Sequence, residues 1–302
     1  MRRSSLILPS RRLFLAGSAA GLIAAPGIVR AGSMKLLGAG APTVAGGAFT
    51  GAGDLVSGAL AWWGLRAYTL ASIGNNCITI TRASDSTSQT FVTVAGGGVD
   101  LASIATFLAA TSGKIVKYFD QTGNGNDVVA VAGSSPTFTA SVLGSLPAAT
   151  FAGTENLASL SSIGASAQPF SVSSVFRCTL GNAGADQGVT GQTSISWTAG
   201  ISAVSTARTF AGSGVTAAAT DNVFHAMQNV FNNTLSHLYV DGSDTSGTAG
   251  TQGLAAANVL MGQSNFGKMA GSICEVGIWN GHAFSGTEMS NLNSNQHTYW
   301  GF

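Results

Sequence analysis

The sequence predicts an all-β domain, an antiparallel β-sandwich of the jelly-roll kind with short helices, and three observations lead there. Charged residues make up 8% of the 302-residue chain, against about 25% in ordinary globular proteins, and Ser, Thr and Asn supply the polarity instead. Glycine numbers 41, roughly twice the usual share. Short runs of β character recur along the chain with turn residues between them, and helical patterns are brief. Ser and Thr sit well on the solvent face of a strand, while Gly and Asn suit tight connections. No repeat of fixed period and no second domain boundary is visible after Leu55, so a single large domain is expected.

The elements follow in chain order. Ser10-Arg11-Arg12-Leu13-Phe14-Leu15 is similar to the twin-arginine export consensus, the apolar run Ala16 to Val29 carries no acid, and Val29-Arg30-Ala31 offers a small-residue exit. A charged start, a modest apolar stretch and such an exit describe a removable targeting peptide over residues 1–31. The apolar run falls short of the ~20 residues needed to span a bilayer, so a periplasmic or secreted protein is expected, not a membrane-embedded one. Twin-arginine export moves proteins already folded, which implies folding in the cytoplasm. Removing 1–31 takes five of the 13 basic residues and none of the 12 acids, leaving eight against 12, a net charge of −4. That balance argues against a nucleic-acid partner, whose footprint is a basic patch.

Residues 32–54 read as a flexible Gly/Ala-rich lead, and 55–302 as the sandwich. Trp62, Trp63, Leu65 and Tyr68 form an aromatic cluster that reads as core, and Cys77 to Arg82 alternates strictly as a half-buried strand. Asp100 caps a short helix whose Leu101, Ile104, Phe107 and Leu108 share one face. Strands are predicted at Lys114–Phe119, Val128–Val131, Ala148–Phe151, Phe170–Cys178, Ser194–Ile201, Val223–Phe231, Leu235–Val240, Val259–Met261 and Ser272–Trp279. Asp241-Gly242 is a hairpin signal. Ser285-Gly286-Thr287-Glu288 is a capping box that opens a C-terminal helix carrying Met289, Leu292 and Tyr299.

The best site candidate is the polar turn from Asp120 to Asp127. Asp120, Gln121, Asn124 and Asn126 bring carboxylate and amide groups onto one Gly-rich loop, where such oxygens ligate Ca²⁺ or hydrogen-bond sugar hydroxyls. The alternative is a structural turn, with Asn and Gly supplying left-handed backbone and Asp capping nearby amides. No other cofactor is expected, and no metal-ligand spacing appears. Cys77, Cys178 and Cys274 lie far apart in strand-like runs. Their pairing stays open, with a small buried role expected for at least one. His225, His237, His282 and His297 lack a neighbouring nucleophile motif. His225 and His237 are expected on the solvent side of their strands. Trp197 and Trp279 are either core or platforms for a sugar ring.

Several segments are similar to a known family. Arg66-Ala67-Tyr68, Ile78 through Asp85, Gly97-Gly98-Val99-Asp100 and Tyr118 through Asn126 resemble, in order and spacing, the opening of the catalytic domain of arabinofuranosidase B, glycoside hydrolase family 54. Phe151 to Leu157, Leu238-Tyr239-Val240-Asp241-Gly242 and Gly271 to Trp279 resemble laminin-G-like strands and the L-Y-V-D-G hairpin. The resemblance implies a concanavalin A-like sandwich. The family's enzymes use two carboxylates and an adjacent Cys-Cys pair, whereas Cys178 stands alone here, Trp197 to Gly214 holds no Asp or Glu, and Gly262-Gln263-Ser264-Asn265 is uncharged. The catalytic set is therefore expected to be lost.

Glycoside hydrolysis needs two facing carboxylates. The three glutamates read otherwise: Glu288 as a cap, Glu275 as structural, Glu155 in a turn. No catalytic residue is assigned. The expected function is an exported, noncatalytic carbohydrate-binding or surface-interaction module for a polysaccharide or glycoconjugate. The alternatives are a divergent, arabinofuranosidase-like glycoside hydrolase and a prophage-derived tail or surface protein, and self-association fits the weakly charged surface.

Overall fold

The computed structural model describes residues 49–179, 186–193, 197–202 and 206–302. The targeting peptide and most of the lead expected before Leu55 lie outside the described residues. The last residues of that lead do not hang free. Ala52–Leu55 forms a short helix in which Ala52 and Gly53 are buried, and a Cβ on Gly53 would sit 2.4 Å from the Tyr68 ring. No helix among the described residues is long and apolar enough to cross a membrane.

The chain is an antiparallel sandwich, as expected. In one sheet the strands run Ser243–Gly247, Ser236–Val240, Phe224–Phe231, Phe170–Cys178 and Ala270–Asn280. The far side of Ala270–Asn280 is shared: Ala61–Gly64 pairs with its second half and Leu146–Ala152 with its first. The other sheet runs Ser88–Val92, Asn76–Arg82, Gly113–Tyr118, Val128–Ala130, Leu157–Ser159, Leu260–Met261, Gln187–Gly191, Thr198–Ile201, Thr206–Phe210 and Gly214–Ala218. The hairpin of Thr137–Leu143 and Leu146–Ala152 bridges the two, pairing with Gly113–Lys114 at one side and Ala270–Ile273 at the other. The sandwich is thereby nearly closed, which leaves few free strand edges.

Alternating side chains from both sheets fill the space between them. Phe170 and Phe231 stack at 4.3 Å, and Trp197 from the opposite sheet meets both edge-on at 5.3 and 5.7 Å. Trp197 and Trp279 are wholly buried, which removes both as sugar platforms. A second cluster lies on the outer face of the first sheet. There Trp62, Tyr68, Trp279, Phe284, Met289 and Leu292 pack under the Ala52–Leu55 helix and the C-terminal helix Gly286–Trp300. Being covered on both faces is why Ala270–Asn280 is buried along nearly its whole length.

The helix signals are realised as read. Asp100 caps Leu101–Leu108 by accepting the Ser103 N–H at 3.0 Å. Ser285 and Glu288 form the reciprocal capping box. Asp241 and Gly242 both have positive φ, 48° and 90°, as a tight hairpin turn requires.

Candidate functional site

The turn that the sequence singled out is built mostly of inward bonds. Asp120 follows strand Gly113–Tyr118 and is 7% exposed. Its Oδ1 accepts from the Trp62 N–H at 3.1 Å, the Thr122 N–H at 3.0 Å and the Thr122 hydroxyl at 2.7 Å, and its Oδ2 accepts from the Asn126 N–H at 3.0 Å. Gln121 donates to the carbonyls of Gly64 and Arg66 and accepts from the Tyr68 N–H. Asn124 donates to Ala59 and Leu60, and Asn126 to Leu60. Asp127 accepts the Asp120 N–H and pairs with Lys117 at 2.7 Å. The geometry assigns these side chains a clasp, stitching the backbone of residues 59–68 to the turn.

The glutamates are also bound within the fold. Glu275 is fully buried and forms a two-pronged pair with Arg66, also fully buried; Gln296 and Trp300 of the C-terminal helix donate to the same carboxylate at 2.9 Å each. Glu155 accepts the N–H groups of Ala152 and Thr154. Burial pulls its carboxyl pKa up, but those backbone bonds outweigh burial and leave it lowered. Among the described residues no group of three or more His, Cys, Asp or Glu is arranged to hold a metal ion.

The three cysteines are all buried and unpaired. Burial pushes the thiols of Cys77 and Cys274 up, and that of Cys178 to about 11, so none is a thiolate nucleophile near neutral pH. Cys178 instead donates to the Gln187 side chain at 3.3 Å. His225 is 5% exposed and not on the solvent side of its strand, because Asp241 and Thr220 bond both ring nitrogens.

A different cluster is half-exposed and chemically varied. Thr206–Phe210 alternates, with Ala207 and Thr209 inward and Thr206, Arg208 and Phe210 outward. Asn229 of the opposite sheet fixes this strand from below, bonding the Thr209 hydroxyl at 2.7 Å and the Arg208 carbonyl at 3.3 Å. Against Gln187–Gly191, separated from Thr206–Phe210 by strand Thr198–Ile201, lies a short hairpin, Gln263–Ser264 with Gly267–Lys268. It lies that close because Gly188 and Gly191 have no side chain; a Cβ on either would sit 2.3 to 2.9 Å from Ser264 or Trp197. The hairpin brings Phe266 and Asn265 over the strands.

The Arg208 guanidinium then lies 4.5 Å from the centroids of both Phe210 and Phe266 and bonds Asp186 at 2.6 Å. The two rings meet edge to face at 4.8 Å, and the Thr198 hydroxyl donates to the Asn265 side chain at 2.9 Å. Arg208 and Asp186 keep 19% and 27% of their side-chain surface exposed. This face holds two aromatic rings, a planar cation, a carboxylate and an amide within one patch. The stretches 197–214 and 262–265 carry no acid, so the patch has no carboxylate signature in its local sequence. The sequence offers little signal for it, because Thr209 points inward and Phe210 outward, against the usual polar and apolar alternation.

No known family model matches this chain, and no curated protein matches it in sequence. Solved structures do match it. The chain superposes on an arabinofuranosidase complexed with arabinofuranosyl-α-1,2-xylobiose with a TM-score of 0.65 at 13% identity, covering 83% of this chain and 65% of that one. A mutant GH54 α-l-arabinofuranosidase soaked with 4-nitrophenyl α-l-arabinofuranoside gives a TM-score of 0.66 at 14% identity over the same shares. At such identities the likeness establishes the fold, and the chain spans 65% of the length of these enzymes.

Proposed function

We propose that this chain is an exported, noncatalytic carbohydrate-binding module, and that the face around Arg208, Phe210 and Phe266 holds the sugar. The observation that carries the reading is the Arg208 guanidinium flanked by two half-exposed phenyl rings and bonded to Asp186. A sugar ring offers apolar C–H faces and a rim of hydroxyls. Aromatic rings cover the first, and planar charged groups with fixed donors and acceptors bind the second. The likeness of fold to arabinofuranosidases fits a carbohydrate role.

The noncatalytic part rests on the acids. Hydrolysis of a glycosidic bond needs a second carboxylate ~5 Å or ~6.5–9.5 Å from the first. Asp186 is committed to Arg208. Asp54, Asp100, Asp120, Glu155, Glu275 and Glu288 serve caps, turns and a buried pair.

The test is a polysaccharide and glycoconjugate array probed with the purified protein, with and without Ca²⁺, while the same wells are assayed for released sugar. Binding without release, lost in Arg208→Ala and Phe266→Ala but kept in Asn124→Ala, is the expected result. Released arabinose or any other sugar overturns the noncatalytic reading in favour of a divergent glycoside hydrolase. Binding lost only in Asn124→Ala or only without Ca²⁺ moves the site to the Asp120–Asp127 turn.

A further inference from the structure

Where the Asp241-Gly242 turn meets the end of the C-terminal helix, two histidines converge on one carboxylate. His225 Nδ1 lies 2.5 Å from Asp241 Oδ2, and its Nε2 lies 2.8 Å from the carbonyl oxygen of Thr220. His297 Nε2 lies 3.3 Å from Asp241 Oδ1, and its Nδ1 lies 2.6 Å from the main-chain oxygen of Phe302. A neutral imidazole has one donor nitrogen and one acceptor nitrogen, whereas a carbonyl or an ionised carboxylate only accepts. All four ring nitrogens face acceptors, and His225, bonded at both nitrogens, satisfies both its neighbours only as an imidazolium.

Asp241 is held in place independently of either ring. Its Oδ1 also accepts the Ala226 N–H at 2.9 Å, and its backbone is fixed by the hairpin turn. The other charged groups facing this cluster are few. Asp221, just before strand Phe224–Phe231, favours the charged form of His225. Arg177 of the adjacent strand lies 5.0 Å over the Phe224 ring, and Phe224 packs on Phe302, which packs on His297. The Phe176 ring lies beside His225 at 5.9 Å.

We propose that His225, Asp241 and His297 form a proton-dependent latch that fastens the last turn of the C-terminal helix to the sheet. It is closed while the His225 imidazole is protonated and loosens as that ring loses its proton. The helix end that it fastens carries Gln296 and Trp300, which seal the buried Arg66–Glu275 pair, so release of the latch reaches a pair of charges with no exposed surface. Burial pushes the His225 pKa down, but the bonds to Asp241 and Thr220 outweigh burial, and the net shift is upward. A histidine raised in the folded state contributes stability that is complete below its unfolded value of ~6.5 and is lost as pH rises through the folded value.

The experiment follows the histidine Cε1–H resonances of the full chain from acid to mildly alkaline pH. In parallel it measures amide exchange at Gln296–Trp300, corrected for intrinsic rates. His225 is expected to titrate above ~6.5, with protection of the helix end falling about tenfold per unit of its shift. Asp241→Asn is expected to remove that pH dependence, and His297→Gln, at a partly exposed side chain, to weaken it without unfolding the chain. The latch is overturned if His225 titrates at or below its ordinary value, or if wild-type protection stays flat through the titration. Persistence of the wild-type pH dependence in Asp241→Asn overturns it equally.

Discussion

At the scale of single residues, the Arg66–Glu275 pair shows what burial demands of a charge. Both side chains are 0% exposed, and taking an ion out of water costs several kcal/mol unless every partner is supplied. Glu275 is supplied by four donors: two from Arg66, one from Gln296 and one from Trp300. Arg66 is held further by the Tyr299 ring at 4.7 Å. Removing one partner strands the other, so Glu275→Leu is expected to lose about 3–5 kcal/mol. Equilibrium denaturation would show this as a lowered midpoint. The double variant Arg66→Met/Glu275→Leu should recover most of the loss, since an apolar pair of similar volume needs no partners. A double variant as unstable as the single one would mean that packing shape, not charge, accounts for the loss.

At the scale of elements, the Asp120–Asp127 turn is the clearest case of a motif whose chemistry points inward. Its polar side chains looked like ligand donors because the sequence shows their types and not their directions. In the fold they bond the chain that runs antiparallel to strand Ala270–Asn280. Asp120→Ala is therefore expected to destabilise the protein by about 1–3 kcal/mol, leaving the Trp62 and Asn126 N–H groups unpaired. The sugar binding proposed for the Arg208 face should be unchanged at temperatures where the variant is folded; thermal melting beside array binding checks both. Strand legibility follows the same logic. Phe170–Cys178 was readable to the residue because it is a long run rich in β-branched and aromatic residues. Thr206–Phe210 and Gly214–Ala218 were not, because their inward residues are mostly small and only one or two large side chains mark each strand. Ala61–Gly64 read as an aromatic cluster and is a strand because Gly277 opposite leaves room for the Trp62 and Trp279 rings.

At the scale of the whole molecule, stability comes from two apolar layers and a ladder that nearly closes, with no covalent staple among the three cysteines. Melting in the presence and absence of a thiol reductant is expected to give the same midpoint. A drop under reducing conditions would mean that a disulfide forms after all. Fold class, the caps of both longer helices, the Asp241-Gly242 turn and most core strands were determined by the sequence alone, because each is a local matter of side-chain period, backbone freedom and capping chemistry. The tertiary structure decided the rest: that Glu275 meets Arg66, that Asp120 faces inward, that two histidines share Asp241, and that Phe266 and Asp186 come to Arg208. Those pairs lie far apart along the chain, and the direction of a side chain is set by what packs against it, which no local pattern records.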